Sequence, residues 1–137
     1  MEITGRLHPL IVHFPIALVL VAAAAEGVVI ATGDVRWCIV AVLNVRVAAV
    51  FAVVAAIAGW RLGSGVAWTA ELEWHRWLGV IAAVATAGAA LASIRTTRWR
   101  SHLLWTYRVA LFCAATSVAA TGHSGGLLVW GADFLRF

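Results

Sequence analysis

Long apolar runs separated by short polar breaks dominate the chain. Each run is about 20 residues long, the length with which a helix crosses the ~30 Å hydrocarbon core of a bilayer. The breaks contain Gly, Ser, Asp or Arg, residue types that end helices or favour loops. We therefore predict four transmembrane helices, at residues 11–31, 38–59, 77–94 and 103–121.

The short breaks also predict how the helices are arranged, because helices joined by short loops lie antiparallel. The N-terminus, the loop 60–76 and the C-terminus then lie on one side of the membrane, and the loops 32–37 and 95–102 lie on the other. No linker is long enough to separate domains. The chain is thus predicted to be one all-α domain over residues 1–137, an up-down-up-down four-helix transmembrane bundle.

A cleaved signal peptide is the alternative interpretation of the first apolar run. Its basic region would hold a single arginine, Arg6, which Glu2 offsets. Pro9 and Pro15 stand where the apolar core of a signal should begin. We therefore expect a retained helix.

Composition agrees with a membrane protein and excludes several other classes. Hydrophobic residues make up 64% of the chain and charged residues only 12%, which excludes a disordered chain and a sizeable water-soluble catalytic domain. The formal charge of +4 comes from arginine alone and is spread over short loops, unlike the clustered basic surface of a nucleic-acid-binding protein. Seven of the eight tryptophans lie near predicted helix ends, where indoles favour the headgroup layer. The expected partner is therefore the lipid bilayer, and not nucleic acid.

Four of the five histidines fall at the same predicted face. His8 and His13 open the first helix, His75 opens the third and His123 closes the fourth. Ionisable side chains in apolar helices usually point into the bundle, because lipid does not solvate them. Simpler roles exist for three of them: an interfacial cap for His8, a pair with a glutamate for His75, and a helix-ending turn for His123. For His13 the nearby sequence offers no hydrogen-bond partner, which favours a functional role.

Imidazoles that converge from several helices indicate a cofactor. In the first interpretation, two of them are the axial ligands of a b-type haem, one or two haems per chain, with His13 and His123 as the preferred pair. Small residues beside a haem plane would be Gly79, Gly122 and Gly125. Without a cofactor, the same small residues would let membrane helices pack closely.

A single Zn or Cu ion held by three or four of these imidazoles is the other cofactor interpretation. It is weaker, because the chain has no His-Glu-x-x-His sequence and no carboxylate at ligand spacing within a predicted helix. The two cysteines, Cys38 and Cys113, do not form a Cys-x-x-Cys-His attachment sequence. Any haem would therefore be bound non-covalently.

A second polar group is predicted near the opposite face. Glu26, Arg46 and Arg108 all lie at a depth of ~12–15 Å, counted at ~1.5 Å per residue from the adjacent loops. Because a lone charge at that depth is costly, we predict one intramembrane ion cluster, with Asn44 assisting. In the functional alternative, the two arginines hold haem propionates or a quinone headgroup, or Glu26 relays protons.

Three segments resemble a known family. They are His8-Pro-Leu-Ile-Val-His-Phe-Pro-Ile-Ala-Leu18, His75-Arg-Trp-Leu-Gly79 and Gly122-His-Ser-Gly-Gly-Leu-Leu-Val-Trp-Gly131. Together they are similar to the signatures of a large family of predicted bacterial membrane proteins, a domain of unknown function. The resemblance implies four transmembrane helices in a bacterial inner membrane and an association with c-type cytochromes.

These observations lead to one functional expectation and two alternatives. We expect a cytochrome b-like electron-transfer subunit, rather than a stand-alone enzyme, that exchanges electrons with an extracytoplasmic partner. The densest basic segment, 95–100, predicts that the histidine face lies outside the cytoplasm. The alternatives are a cofactor-free structural or assembly subunit of a larger membrane complex, and the Zn or Cu protein.

Overall fold

Helices form all the regular structure in residues 7–95 and 101–131, the part of the chain that the computed structural model describes. In chain order the helices are α1 His8–Ile11, α2 His13–Thr32, α3 Trp37–Gly63, α4 Ala70–Arg95 and α5 Ser101–Trp130. Of these, α1 leads into α2 with only Val12 between them, in a helical conformation. Pro15 has no N–H to donate to the carbonyl of Ile11, which explains an irregularity at this point.

Each predicted span lies within a helical segment that is long and apolar enough to cross a membrane. Among the described residues, four segments are this long and apolar: His8–Thr32, Trp37–Gly63, Ala70–Ile94 and His102–Trp130. The helices extend beyond the predicted spans, most of all at the start of α4 and at the end of α5. Most of the basic segment 95–100, on which the predicted orientation depends, lies outside the described residues.

Glycines in the left-handed conformation end two of the helices. Gly33 has a φ of 72° and its N–H donates to the carbonyl of Val29, which ends α2 at the predicted break. Gly131, with a φ of 79°, donates in the same way to the carbonyl of Leu127. The helix α5 therefore continues through Gly122, past the predicted end at 121. Without a side chain, glycine adopts this conformation at no steric cost.

Contacts between neighbouring helices show that they run antiparallel. The start of α2 lies beside the end of α3, the start of α3 beside the end of α4, and the start of α4 beside the end of α5. The start of α5 lies beside the end of α2. The pairs that establish this order are His8 with Gly59, Arg46 with Ser93, His75 with Ser124, and Arg108 with Glu26. This arrangement confirms the predicted all-α four-helix bundle.

Small residues fill the space between the helices, and large apolar side chains cover the outside. Ala22, Ala48, Ala89 and Ala114 are fully buried, whereas many Val, Ile, Leu and Trp side chains on all four long helices are exposed. A water-soluble bundle shows the reverse distribution. Small residues allow membrane helices to approach closely, and lipid solvates the large apolar side chains outside.

The loop between α2 and α3 carries an exposed ion pair. The Asp34 carboxylate accepts hydrogen bonds from the backbone N–H of Arg36 and from its guanidinium, with the shortest contact at 2.8 Å. These bonds hold the pKa of the Asp34 carboxyl below its usual value. The carboxylate thus satisfies the backbone N–H of Arg36, just before α3, and the loop keeps its charges outside the apolar segments.

Candidate functional site

The antiparallel bundle brings the four predicted histidines to one end. This end, which we call the histidine end, is formed by the start of α2 with the preceding α1, the end of α3, the start of α4 and the end of α5. His8, His13, His75 and His123 all lie there. His102 is exposed at the start of α5, at the opposite end.

His8 inserts its imidazole between α1 and α3. Its Nδ1 lies 2.9 Å from the carbonyl oxygen of Ala55. Because a carbonyl oxygen only accepts, the proton of the neutral ring is on Nδ1, and Nε2 keeps its lone pair. A Cβ at position 59 would come within 2.6 Å of Cε1 of His8. Gly59 therefore provides the space in which the ring lies.

His75 makes a matching arrangement between α4 and α5. Its Nδ1 lies 2.8 Å from Oγ of Ser124, and that hydroxyl donates its own proton to the carbonyl of Thr121 at 3.0 Å. Ser124 must therefore accept from Nδ1–H, which again leaves the lone pair on Nε2. A Cβ on Gly125 would lie 3.0 Å from Cε1 of His75. This close approach assigns Gly125 the same role for His75 that Gly59 has for His8.

The two imidazoles form the interior pair of the histidine end. Both rings are half-buried, and each packs against a glycine of a neighbouring helix. A histidine that binds a metal through Nε2 usually donates its Nδ1–H to a protein oxygen, which fixes the tautomer and the direction of the lone pair. His8 and His75 already have this arrangement, so each can ligate an iron or accept a proton through Nε2.

The other two histidines of this end lie on the outside of the bundle. His13 on α2 and His123 on α5 are both exposed, away from the buried stripes of their helices. The preferred axial pair of the sequence analysis is thus not the pair that faces the interior.

Two of the predicted haem-lining glycines lie in helix contacts that alanine would also fit. A Cβ at Gly79 would meet Thr121 at 4.0 Å, and one at Gly122 would meet Ile16 at 3.5 Å. Both are ordinary packing distances. Neither contact requires a glycine, in contrast to the contact of Gly125 with His75.

A positively charged group borders the interior pair. The Arg76 guanidinium stacks on the ring of Trp60 at 3.9 Å, and Trp77 meets the same ring edge-on, with centroids 5.8 Å apart. A Cβ at Gly63 would lie 3.4 Å from Cδ of Arg76. Nε of Arg76 is buried and has no hydrogen-bond partner among the described residues. The histidine end thus holds a fixed cation with an unused donor.

The described residues do not assemble a metal-ion site of the zinc type. In the ranges 7–95 and 101–131, no group of three or more His, Cys, Asp or Glu side chains could hold a metal ion. Cys38 and Cys113 are both free thiols. Two imidazoles are enough for the axial positions of a haem iron, whereas a structural or catalytic zinc takes three or four protein ligands.

At the opposite end, the predicted ion cluster is a pair with a separate arginine nearby. Nε of Arg108 donates to Oε1 of Glu26 at 2.7 Å, and the side chains are 15% and 2% exposed. Arg46 instead donates to Oγ of Ser93 at 2.9 Å and to its carbonyl at 3.3 Å. Asn44 donates to the carbonyl of Val40 in its own helix. Both arginines therefore have protein partners.

Tyr107 adds a buried hydroxyl near this pair. Its ring reaches from α5 into the centre of the bundle, where it packs against Ala22, Val45 and Ala89. The residue is 1% exposed, and its hydroxyl has no hydrogen-bond partner among the described residues.

Comparison with known proteins places the chain in a family. The family described as "Predicted membrane protein (DUF2231)" matches residues 5–134 of the chain. The chain belongs to this family. The match covers all four apolar helices and confirms the resemblance found in the sequence. No curated protein and no solved structure matches the chain.

For this member of the predicted membrane protein family, sequence reasoning missed the residues that support the histidines. Gly59, Ser124 and the carbonyl of Ala55 were not predicted to contact an imidazole, and Arg76 was not predicted to take part in the site. A partial signal existed for Ser124 and Gly125, which directly follow His123. For Gly59, which lies 51 residues from His8 along the chain, no local pattern could reveal the contact.

Proposed function

We propose that this membrane protein carries electrons through a b-type haem whose axial ligands are His8 and His75. The observation that carries the proposal is the matched pair of interior imidazoles, each with Nδ1–H donated to a protein oxygen and Nε2 free to ligate. A bound haem would supply a reversible one-electron change at iron. The protein would supply the two ligands and an apolar surrounding that excludes water.

The residues present fit this group in their donor chemistry. Two neutral imidazoles from different helices are the usual axial set of a membrane b-type haem. Each ring lies against a glycine of a neighbouring helix, Gly59 or Gly125. Arg76 places a positive charge at the same end, where it could balance the carboxylates of the cofactor.

The proposal includes a location and a partner. The histidine end would face the extracytoplasmic side of a bacterial inner membrane, with segment 95–100 in the cytoplasm. There the subunit would exchange electrons with a c-type cytochrome. Fusing a reporter that is active only outside the cytoplasm to the C-terminus tests the orientation: an active fusion is expected, and an inactive one contradicts it.

An absorption spectrum of the purified protein tests the haem proposal. Wild-type protein from haem-replete cells should show a Soret band, and pyridine haemochrome quantitation should give one haem per chain for a single ligand pair. His8→Ala and His75→Ala should each abolish the band, because each removes one axial ligand. His102→Ala, an exposed histidine at the opposite end, is the matched control and should keep it.

Other outcomes identify the alternatives. Loss of the band in His13→Ala and His123→Ala, with His8→Ala and His75→Ala unaffected, would assign the haem to the exposed pair. Loss of about half the band in each of the four variants, from a protein with two haems, would assign one haem to each pair. Colourless wild-type protein would refute haem binding and favour the structural or assembly subunit. Stoichiometric zinc or copper by elemental analysis would favour a metal protein.

A further inference from the structure

The strongest unexplained polar group of the histidine end is Arg76. Its Nε is buried without a hydrogen-bond partner among the described residues. An unsatisfied buried donor is destabilising, and more so when it belongs to a charged group. The nearest acidic side chain along the helix, Glu73, accepts a hydrogen bond from the Trp77 indole at 2.7 Å. The donor is therefore held ready for an acceptor that the described chain does not supply.

The surroundings of Arg76 hold its guanidinium in place. Trp60 lies under the guanidinium at 3.9 Å, and Trp77 packs against the edge of that indole. Gly63 leaves room for the aliphatic part of the side chain. An arginine with a fixed planar fork binds carboxylates through two parallel hydrogen bonds, and stacking on an aromatic ring reduces the entropy lost on binding.

The position of Arg76 relates it to the imidazole pair. It directly follows His75 on α4, and its contacts Trp60 and Gly63 lie on α3 next to Gly59, the glycine against which His8 packs. One turn of α3 thus contacts both the His8 imidazole and the Arg76 guanidinium. Arg76 is thus a cation at the end of the bundle where a ligand of the imidazoles that carries acid groups would bind.

We infer that Arg76 binds a carboxylate of the haem and so fixes the orientation of the cofactor at the histidine end. This inference rests on the proposed haem site. A lipid phosphate is the competing acceptor, and the experiment below distinguishes the two.

Titration of the purified apoprotein with two forms of the cofactor tests the inference. One form is haem b, and the other is its dimethyl ester, in which both carboxylates are blocked. Arg76→Gln should weaken haem b binding about tenfold, the equivalent of ~1.4 kcal/mol, and should bind the ester as wild type does. Arg36→Gln, an exposed arginine in the loop at the opposite end, is the matched control and should change neither affinity.

Arg76→Lys guards against a folding defect in Arg76→Gln. It keeps the charge but lacks the planar fork, so it should retain part of the preference for haem b over the ester. Equal loss of both forms in Arg76→Gln, with wild-type affinity in Arg76→Lys, would indicate a packing role and overturn the inference.

The remaining outcomes separate this inference from the proposed function. Wild type that binds neither form refutes the haem site and the inference together. Wild type that binds haem through His8 and His75, with Arg76→Gln equal to wild type, overturns the inference alone. Loss of co-purifying phospholipid from Arg76→Gln, at unchanged haem affinity, would also overturn it and assign the arginine to a lipid phosphate.

Discussion

Glu26 is the only charged residue that is buried among the described residues, and its partner Arg108 lies 2.7 Å away. Replacing Glu26 with Gln keeps the size of the side chain and removes its charge. Arg108 then remains in the apolar interior beside a neutral amide. Breaking a fully buried ion pair by removing one partner costs about 3–5 kcal/mol.

The structure lowers the expected cost for this pair. Arg108 is 15% exposed and begins about 10 Å from the start of α5, at ~1.5 Å per residue. Its long side chain can therefore turn part of its charge toward the membrane surface. We expect Glu26→Gln to lower the free energy of unfolding by about 2–3 kcal/mol.

Equilibrium unfolding in mixed micelles of sodium dodecyl sulfate and a mild detergent, followed by circular dichroism, measures this change. The double variant Glu26→Gln/Arg108→Gln should lose about 1.5 kcal/mol less than the sum of the single variants, because neither charge is then left without its partner. Arg46→Gln is the matched control: it removes an exposed arginine that bonds to the neutral Ser93 and not to a carboxylate, and we expect a loss of about 1 kcal/mol or less.

The result that refutes this reasoning is a Glu26→Gln variant no less stable than Arg46→Gln, or a double variant whose loss equals the sum. Haem content per folded chain provides a second readout. We expect it to stay unchanged, because the pair lies at the end opposite the imidazoles. Normal stability with lost haem would instead assign the pair to the cofactor.

Three further substitutions test the packing around the site and in the bundle centre. Gly88→Ala adds a Cβ that meets nothing within 4 Å and should raise the free energy of unfolding by up to about 1 kcal/mol through helix propensity. Gly59→Ala should show no such gain and should weaken haem binding, because its Cβ would displace His8. Equal gains from both, at unchanged haem affinity, would contradict this. Tyr107→Phe removes an unpartnered hydroxyl and should raise stability by about 1 kcal/mol; a measured loss would mean that the hydroxyl bonds to an internal water.

The helices and their order could be predicted from the sequence, but two helix boundaries could not. The start of α4 carries Glu71 and Glu73, and the end of α5 carries Gly125, so hydropathy and residue type both indicated loops. In the structure, helical backbone continues through both segments. Hydropathy reports where lipid surrounds a helix, and a helix that extends into the headgroup layer has no need of apolar side chains there.

At the histidine end, too, the sequence predicted one part of the arrangement and not the other. That four histidines share one end followed from the alternating direction of the spans. Which of them face inward did not follow: His13 and His123 were the preferred ligands, whereas His8 and His75 form the interior pair. The ion pair of Glu26 with Arg108 was anticipated by depth, but the partner of Arg46 was not.

By itself, then, the sequence determined a membrane protein of four antiparallel helices, with its titratable groups gathered at two depths. These properties depend on the position of each residue along a helix, which apolar length and loop order specify. Only the tertiary structure decided how each helix is rotated about its own axis. These helices are apolar on all sides, so the sequence carries no amphipathic pattern that marks an inner face. Close packing of alanines and glycines sets that rotation, and with it the choice of His8, His75 and Arg76 as the groups that pack between helices at the histidine end.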